Sequence, residues 1–139
     1  MKRILVDTGP LVAILSRDDT LHETCVKALR EMAAPLFSCW PVVTETAWLL
    51  RHSPRAVQQL LSSTDGGFLE LLPLAGSEAK ALSALMKRYE SIRPQLADAA
   101  LVYLAGRERI ETVFTLDRRD FSIYRTARGR SFRIVPDMN

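Results

Sequence analysis

Histidine and cysteine are scarce in this 139-residue chain, at two residues each, and aromatic residues make up only 7%. Cys25 and Cys39 form neither a CxxC pair nor a metal-spaced set, which excludes a zinc ribbon or a dithiol redox motif. Two cysteines are also too few for a disulfide framework, so buried free thiols in a reducing cytoplasm are expected. Long apolar runs are missing as well. The segment that follows Met1-Lys2-Arg3 is interrupted by Asp7 and broken by Gly9-Pro10, so neither a secretory leader nor a membrane span is expected. What remains, 47% hydrophobic and 25% charged residues, is ordinary for a folded protein and excludes disordered, collagen-like and coiled-coil classes. The length suits one compact domain, residues 1–139.

Hydrophobic periodicity and turn residues divide the chain into alternating elements. Strands are expected at 3–6, 36–39, 68–72, 112–116 and 132–135. Helices are expected at 11–15, from Asp19 or Thr20 to about 33, at 41–51, 54–63, from a Ser77 cap to about 89, and at 94–109, with a short helix inside 117–124. Pro41, Pro54 and Pro94 sit where proline is tolerated, in the first turn. Alternation of this kind implies a three-layer α/β/α fold around a mostly parallel sheet of four to five strands. In such sheets ligands gather at the carboxyl ends of the strands.

Two acids fall at those ends, Asp7 after the first strand and Asp117 after the strand at 112–116. Each could equally be a helix cap. Glu45 differs, because its neighbours at i−3, i+3 and i+4 are Val42, Trp48 and Leu49, an apolar face without a lysine or arginine within one turn. Asp98 is the sole acid between Ser91 and Arg107, amid Leu96, Ala97, Ala99, Ala100, Leu101 and Val102. A helix dipole favours it by only about 0.3–1 kcal/mol, small beside the cost of desolvating a carboxylate. A buried salt bridge or a metal would compensate either residue. If the four acids meet, their repulsion calls for a cation, and an all-oxygen set suits Mg²⁺ or Mn²⁺ rather than Zn²⁺.

The segments LVDTGPLVAIL, PVVTETAWLL, LADAALVYLA and TLDRRDF resemble, in order and spacing, the motifs of PIN-domain nucleases, and among them VapC-type toxins. The resemblance covers nearly the whole chain. It implies a ribonuclease in which Asp7, Glu45, Asp98 and Asp117 bind Mg²⁺ or Mn²⁺ and are catalytic, with Thr8, Thr115 and Asp120 as auxiliary polar residues. It further implies an RNA substrate, a small VapB-like antitoxin, a homodimer and a cytoplasmic location. The histidine-rich turn familiar after the first helix is reduced here to Asp18-Asp19-Thr20-Leu21-His22.

Charge is uneven: from Arg118 onward there are six arginines against two acids. Arg118, Arg119, Arg125, Arg128 and Arg130, with Arg133 and the interleaved Phe121, Tyr124 and Phe132, suit contact with a phosphate backbone and stacking on bases. The alternative is a solvated basic surface. A HAD-type phosphatase would need an acid where Gly9 stands, and a receiver-type module would need paired acids at the first strand end. A PIN nuclease of RNA maturation without an antitoxin, and a non-catalytic RNA-binding module, remain the competing readings.

Overall fold

The computed structural model describes residues 2–138; Met1 and Asn139, the ends of the expected domain, lie outside the described residues. Five short strands, β1 (Ile4–Val6), β2 (Leu36–Ser38), β3 (Leu69–Leu71), β4 (Thr112–Phe114) and β5 (Arg133–Val135), form one sheet in the order β3-β2-β1-β4-β5. Every pairing is parallel, with Val6 beside Phe114 and Leu5 beside both Val113 and Phe37. The helices are α1 (Thr8–Leu15), α2 (His22–Arg30), α3 (Trp40–Leu49), α4 (Pro54–Asp65), α5 (Ala79–Arg88), α6 (Leu96–Glu108) and α7 (Arg118–Phe121). Together these make the expected three-layer α/β/α fold.

Burial follows from the parallel topology, which covers both faces of the inner strands. Leu5, Val6, Val113 and Phe114 are fully enclosed, and α6 adds Ala97, Ala100, Leu101, Val102, Leu104 and Ala105 to the core. The many alanines let α6 lie close to its neighbours, α3 and α5. Both cysteines are buried and free, and burial pushes each thiol up to about 11, so they are inert packing groups. Among the described residues no helix is long and apolar enough to cross a membrane.

Several local expectations need correction. Gly9-Pro10 does not form a turn before α1 but lies within its first turn, where Pro10 has no helical hydrogen bond to lose. Ser77 is not a helix cap. Residues Gly76–Glu78 form a 3-10 turn, and Glu78 closes it by accepting the Ala75 N–H at 2.9 Å. Glu45 is not walled in by Trp48 and Leu49, which are 63% and 49% exposed; it is half-buried, at the flank of α3. Phe121, Tyr124 and Phe132 cannot stack on bases, because all three are buried. Phe121 packs edge-on against Tyr124 and Phe132, with ring centroids 5.1 and 5.9 Å away.

Candidate active site

The strand order places the site. From β1 the chain moves outward through β2 and β3, then returns to β4 on the other side, so the crevice between β1 and β4 is the point where the winding reverses. Asp7 immediately follows β1, and Thr115 immediately follows β4. The Asp7 N–H reaches the Phe114 carbonyl at 2.9 Å, and the Thr115 hydroxyl donates to Asp7 Oδ2 at 2.8 Å. The same Thr115 oxygen accepts the Asp117 N–H at 3.0 Å, tying the two strand ends together.

Although Asp7 precedes α1, its side chain does not cap that helix. The residue is 6% exposed, and its second oxygen, Oδ1, is buried without a hydrogen-bond partner. Burial pushes its carboxyl above the usual range. The Thr8 N–H and the Thr115 hydroxyl oppose that rise, while the charges of Glu45 and Asp117 add to it. An unpartnered buried carboxylate oxygen is costly unless a cation or proton meets it.

The other three expected acids line the same open cleft, of about 600 Å³, at the carboxyl end of the sheet. Glu45 arrives from α3 and accepts the Thr8 hydroxyl through Oε1 at 2.6 Å. Asp98 stands in the first turn of α6, where Oδ2 accepts the Gln95 N–H at 3.3 Å. Burial, followed by the charge of Asp7, pushes the Asp98 carboxyl up to about 7, despite that hydrogen bond. Asp117 caps α7, accepting the Asp120 N–H at 3.1 Å, so its capping role is real. Asp120 also lines the cleft, and burial beside Asp117 raises its carboxyl too.

The acids therefore share one cleft, on four separate elements. Among the described residues, no three Asp, Glu, His or Cys side chains close to coordination distance around one point. Like charges at this density repel, and the oxygens left free, Asp7 Oδ1 above all, form an oxygen-only donor set that fits a hard divalent cation.

The arginines divide by use. Arg118 donates to the Pro136 carbonyl at 2.7 Å, and Arg125 donates to the carbonyls of Ser122, Ile123 and Tyr124. Arg119, Arg128 and Arg130 are exposed. Sequence reasoning missed three residues here. Asp19 lines the cleft as well as accepting the Leu21 N–H at 2.9 Å, and Arg93 and Gln95 line it beside Asp98. Tyr124, fully buried, has an unpartnered hydroxyl whose ionisation is suppressed by burial and by the Asp98 and Asp120 charges. The only sequence sign of Arg93 was a cation just before a proline.

The PIN domain model matches residues 4–128. The ribonuclease VapC26 of Mycobacterium tuberculosis is 31% identical over 135 residues, covering 96% of this chain and all of that protein. The crystal structure of M. tuberculosis VapC20, a toxin that cleaves the sarcin–ricin loop, superimposes with a TM-score of 0.73 at 16% identity. That match covers 79% of this chain and 86% of VapC20. The four acids and their threonine supports lie within the matched segment, and the chain belongs to the PIN-domain family.

Proposed function

We propose that the protein is a metal-dependent endoribonuclease that acts in the cytoplasm as the toxin of a toxin–antitoxin pair. One observation carries the reading: Asp7 holds a buried carboxylate with a free oxygen at the sheet's switch point, in a cleft shared with Glu45, Asp98 and Asp117. The similarity to a VapC ribonuclease over nearly the full length of both chains supports the choice of RNA as substrate.

Asp7, Glu45, Asp98 and Asp117 would hold Mg²⁺ or Mn²⁺. When bound, such an ion polarises a phosphoryl oxygen and lowers the pKa of water at neutral pH. The protein's own groups do the rest. Thr115 fixes Asp7 Oδ2 and thereby aims Oδ1, and Thr8 fixes one oxygen of Glu45. Asp98 Oδ2 accepts the Gln95 N–H at the N-terminus of α6, which leaves Oδ1 for the cleft, and one of the four acids would accept the proton lost by the attacking water. Asp120 stays auxiliary, since its backbone N–H is what orients Asp117. No serine, cysteine or histidine nucleophile is needed.

Arg119, Arg128 and Arg130 would offset the repulsion between the acid cleft and RNA. Arg118 and Arg125 would add charge from fixed positions. Leu49, exposed and lining the cleft from α3, would offer an apolar footing for the antitoxin segment that would cover the site, and the toxin would act as a homodimer.

The test is cleavage of RNA by the purified protein and by Asp98→Asn, each with and without excess EDTA. The reading expects cleavage only by the wild type without chelator. Undiminished cleavage in EDTA, or a fully active Asp98→Asn, would defeat it. A small reading frame directly upstream of the gene would favour the toxin role over RNA maturation.

A further inference from the structure

Six carboxylates line the cleft, and among the described residues one cation does, Arg93. A nucleic acid strand entering such a cleft meets repulsion along its length. A divalent ion relieves this at the reacting phosphate but leaves the neighbouring phosphates facing acids. Arg93 is exposed and forms no ion pair among the described residues, so its guanidinium is not consumed by the carboxylates around it.

Its backbone is as telling as its charge. Arg93 adopts φ 50, ψ 61, in the left-handed region, directly before Pro94, a neighbour that biases the preceding residue toward extended conformations. Glycine suits that geometry, and a side chain there is strained. The local structure needs only the backbone, whose N–H closes the Glu90–Ile92 turn on the Glu90 carbonyl at 3.1 Å. Nothing in that turn calls for a guanidinium. Arg93 is thus the left-handed cap of its turn, a position that fixes its backbone and leaves the guanidinium free for another use.

Arg109 supplies an internal contrast. It too is left-handed, at φ 58, but it ends α6, with the next N–H, that of Ile110, reaching the Ala105 carbonyl at 3.0 Å. It lies at the far end of α6 from Asp98, roughly 16 Å away at 1.5 Å per residue, and it does not line the cleft.

We propose that Arg93 is a substrate-binding residue whose planar guanidinium grips a phosphate of the bound RNA strand at the Asp98 end of the cleft. The inference rests on the nuclease reading above. A two-pronged donor matches the non-bridging phosphate oxygens in a way a lysine ammonium does not. Gripping the strand beside α6 sets the register in which the next phosphodiester enters the carboxylate cage.

Three variants test this: Arg93→Gly, which suits the backbone and removes the guanidinium; Arg93→Lys, which keeps the charge; and Arg109→Gly, which makes the same backbone change outside the cleft. Binding of a labelled single-stranded RNA is measured against salt concentration in an Asp98→Asn background, and kcat/KM for cleavage is measured in the otherwise native protein. Arg93→Gly is expected to lower the log–log salt slope by about 0.7, the contribution of one phosphate contact on a single strand. It should also lower kcat/KM about tenfold or more. Arg93→Lys should keep the slope and lose part of kcat/KM, while Arg109→Gly should keep both. An unchanged slope in Arg93→Gly, or an equal drop in Arg109→Gly, would overturn the proposal. A wild type that does not cleave RNA would defeat the nuclease reading, yet the slopes would still decide whether Arg93 holds a phosphate.

Discussion

Removing the charge of Asp98 should stabilise the protein while destroying its activity. Asp98 has an ordinary carboxyl value of 3.8 that the folded protein raises to about 7, through burial and the nearby Asp7 charge. A raised carboxyl has a definite sign in stability. Below about pH 4 the group is protonated in both folded and unfolded chains and has no effect. Between about 4 and 7 the unfolded chain loses its proton more readily, so folding becomes progressively less favourable, and above about 7 the penalty is complete. At about 1.4 kcal/mol per pKa unit, the full shift would correspond to ~4 kcal/mol. Because the side chain is partly exposed and solvent screens its neighbours, about 1–2 kcal/mol is the realistic share.

The amide introduced by Asp98→Asn would keep an oxygen for the Gln95 N–H but forgo the favourable helix-dipole interaction, about 0.3–1 kcal/mol. The net gain is then about 1 kcal/mol, or ~3 °C in melting temperature for a chain of this size. Thermal unfolding of wild type and Asp98→Asn in chelator, at pH 4.5 and pH 8, measures it. Asp98→Asn should melt higher at pH 8, the difference should be smaller at pH 4.5, and Mg²⁺ should raise the wild type more than the variant. An Asp98→Asn that melts lower than wild type at pH 8 in chelator would refute the reasoning.

Other perturbations separate the site's supports from its reacting groups. Thr115→Val removes the hydroxyl that holds both Asp7 Oδ2 and the Asp117 N–H, and should cost about 2 kcal/mol in urea unfolding. Tyr124→Phe deletes a buried hydroxyl that has no partner and should be neutral or stabilising by up to about 1 kcal/mol, whereas Tyr124→Ala should cost about 3–5 kcal/mol through the cavity it leaves. Arg128→Ala with Arg130→Ala should weaken RNA binding mainly at low salt, while Arg125→Ala should lower the melting temperature as well, because Arg125 donates to three backbone carbonyls.

Much of the site was readable from residue order because its acids occupy positions that the α/β topology makes special. Asp7 and Asp117 follow strands, and the rule about carboxyl ends applies without knowing which strands are neighbours. Asp98 was visible as the sole acid between Ser91 and Arg107, beside the buried Ala97, Ala99, Ala100, Leu101 and Val102. Glu45 was found for a partly mistaken reason: its apolar neighbours Trp48 and Leu49 are exposed, and it is the Thr8 hydroxyl that engages it. Contacts distant in sequence were not readable. The Thr115–Asp7 bond spans 108 residues and depends on β1 and β4 being adjacent, which no local pattern specifies.

The aromatic residues near the C-terminus misled for a related reason. Phe121, at the end of α7, and Tyr124, three residues on, are both buried, while the arginines before and after them stay at the surface. Alternation in sequence looked like one mixed face but was two. Arg93 carried almost no signal, since a left-handed backbone at a non-glycine residue cannot be inferred from composition.

Direct binding of Mn²⁺ tests the central claim, that the carboxylates of this cleft form a divalent-cation site. Free Mn²⁺ is measured by electron paramagnetic resonance as wild type, Asp7→Asn and Asp98→Asn are titrated at pH 7.5, with RNA cleavage followed on the same samples. The wild type should withdraw Mn²⁺ from solution and gain cleavage in parallel, and Asp7→Asn should do neither while keeping its fold by circular dichroism. Cleavage by a wild type that binds no Mn²⁺ or Mg²⁺, or Mn²⁺ binding undiminished in Asp7→Asn, would contradict it.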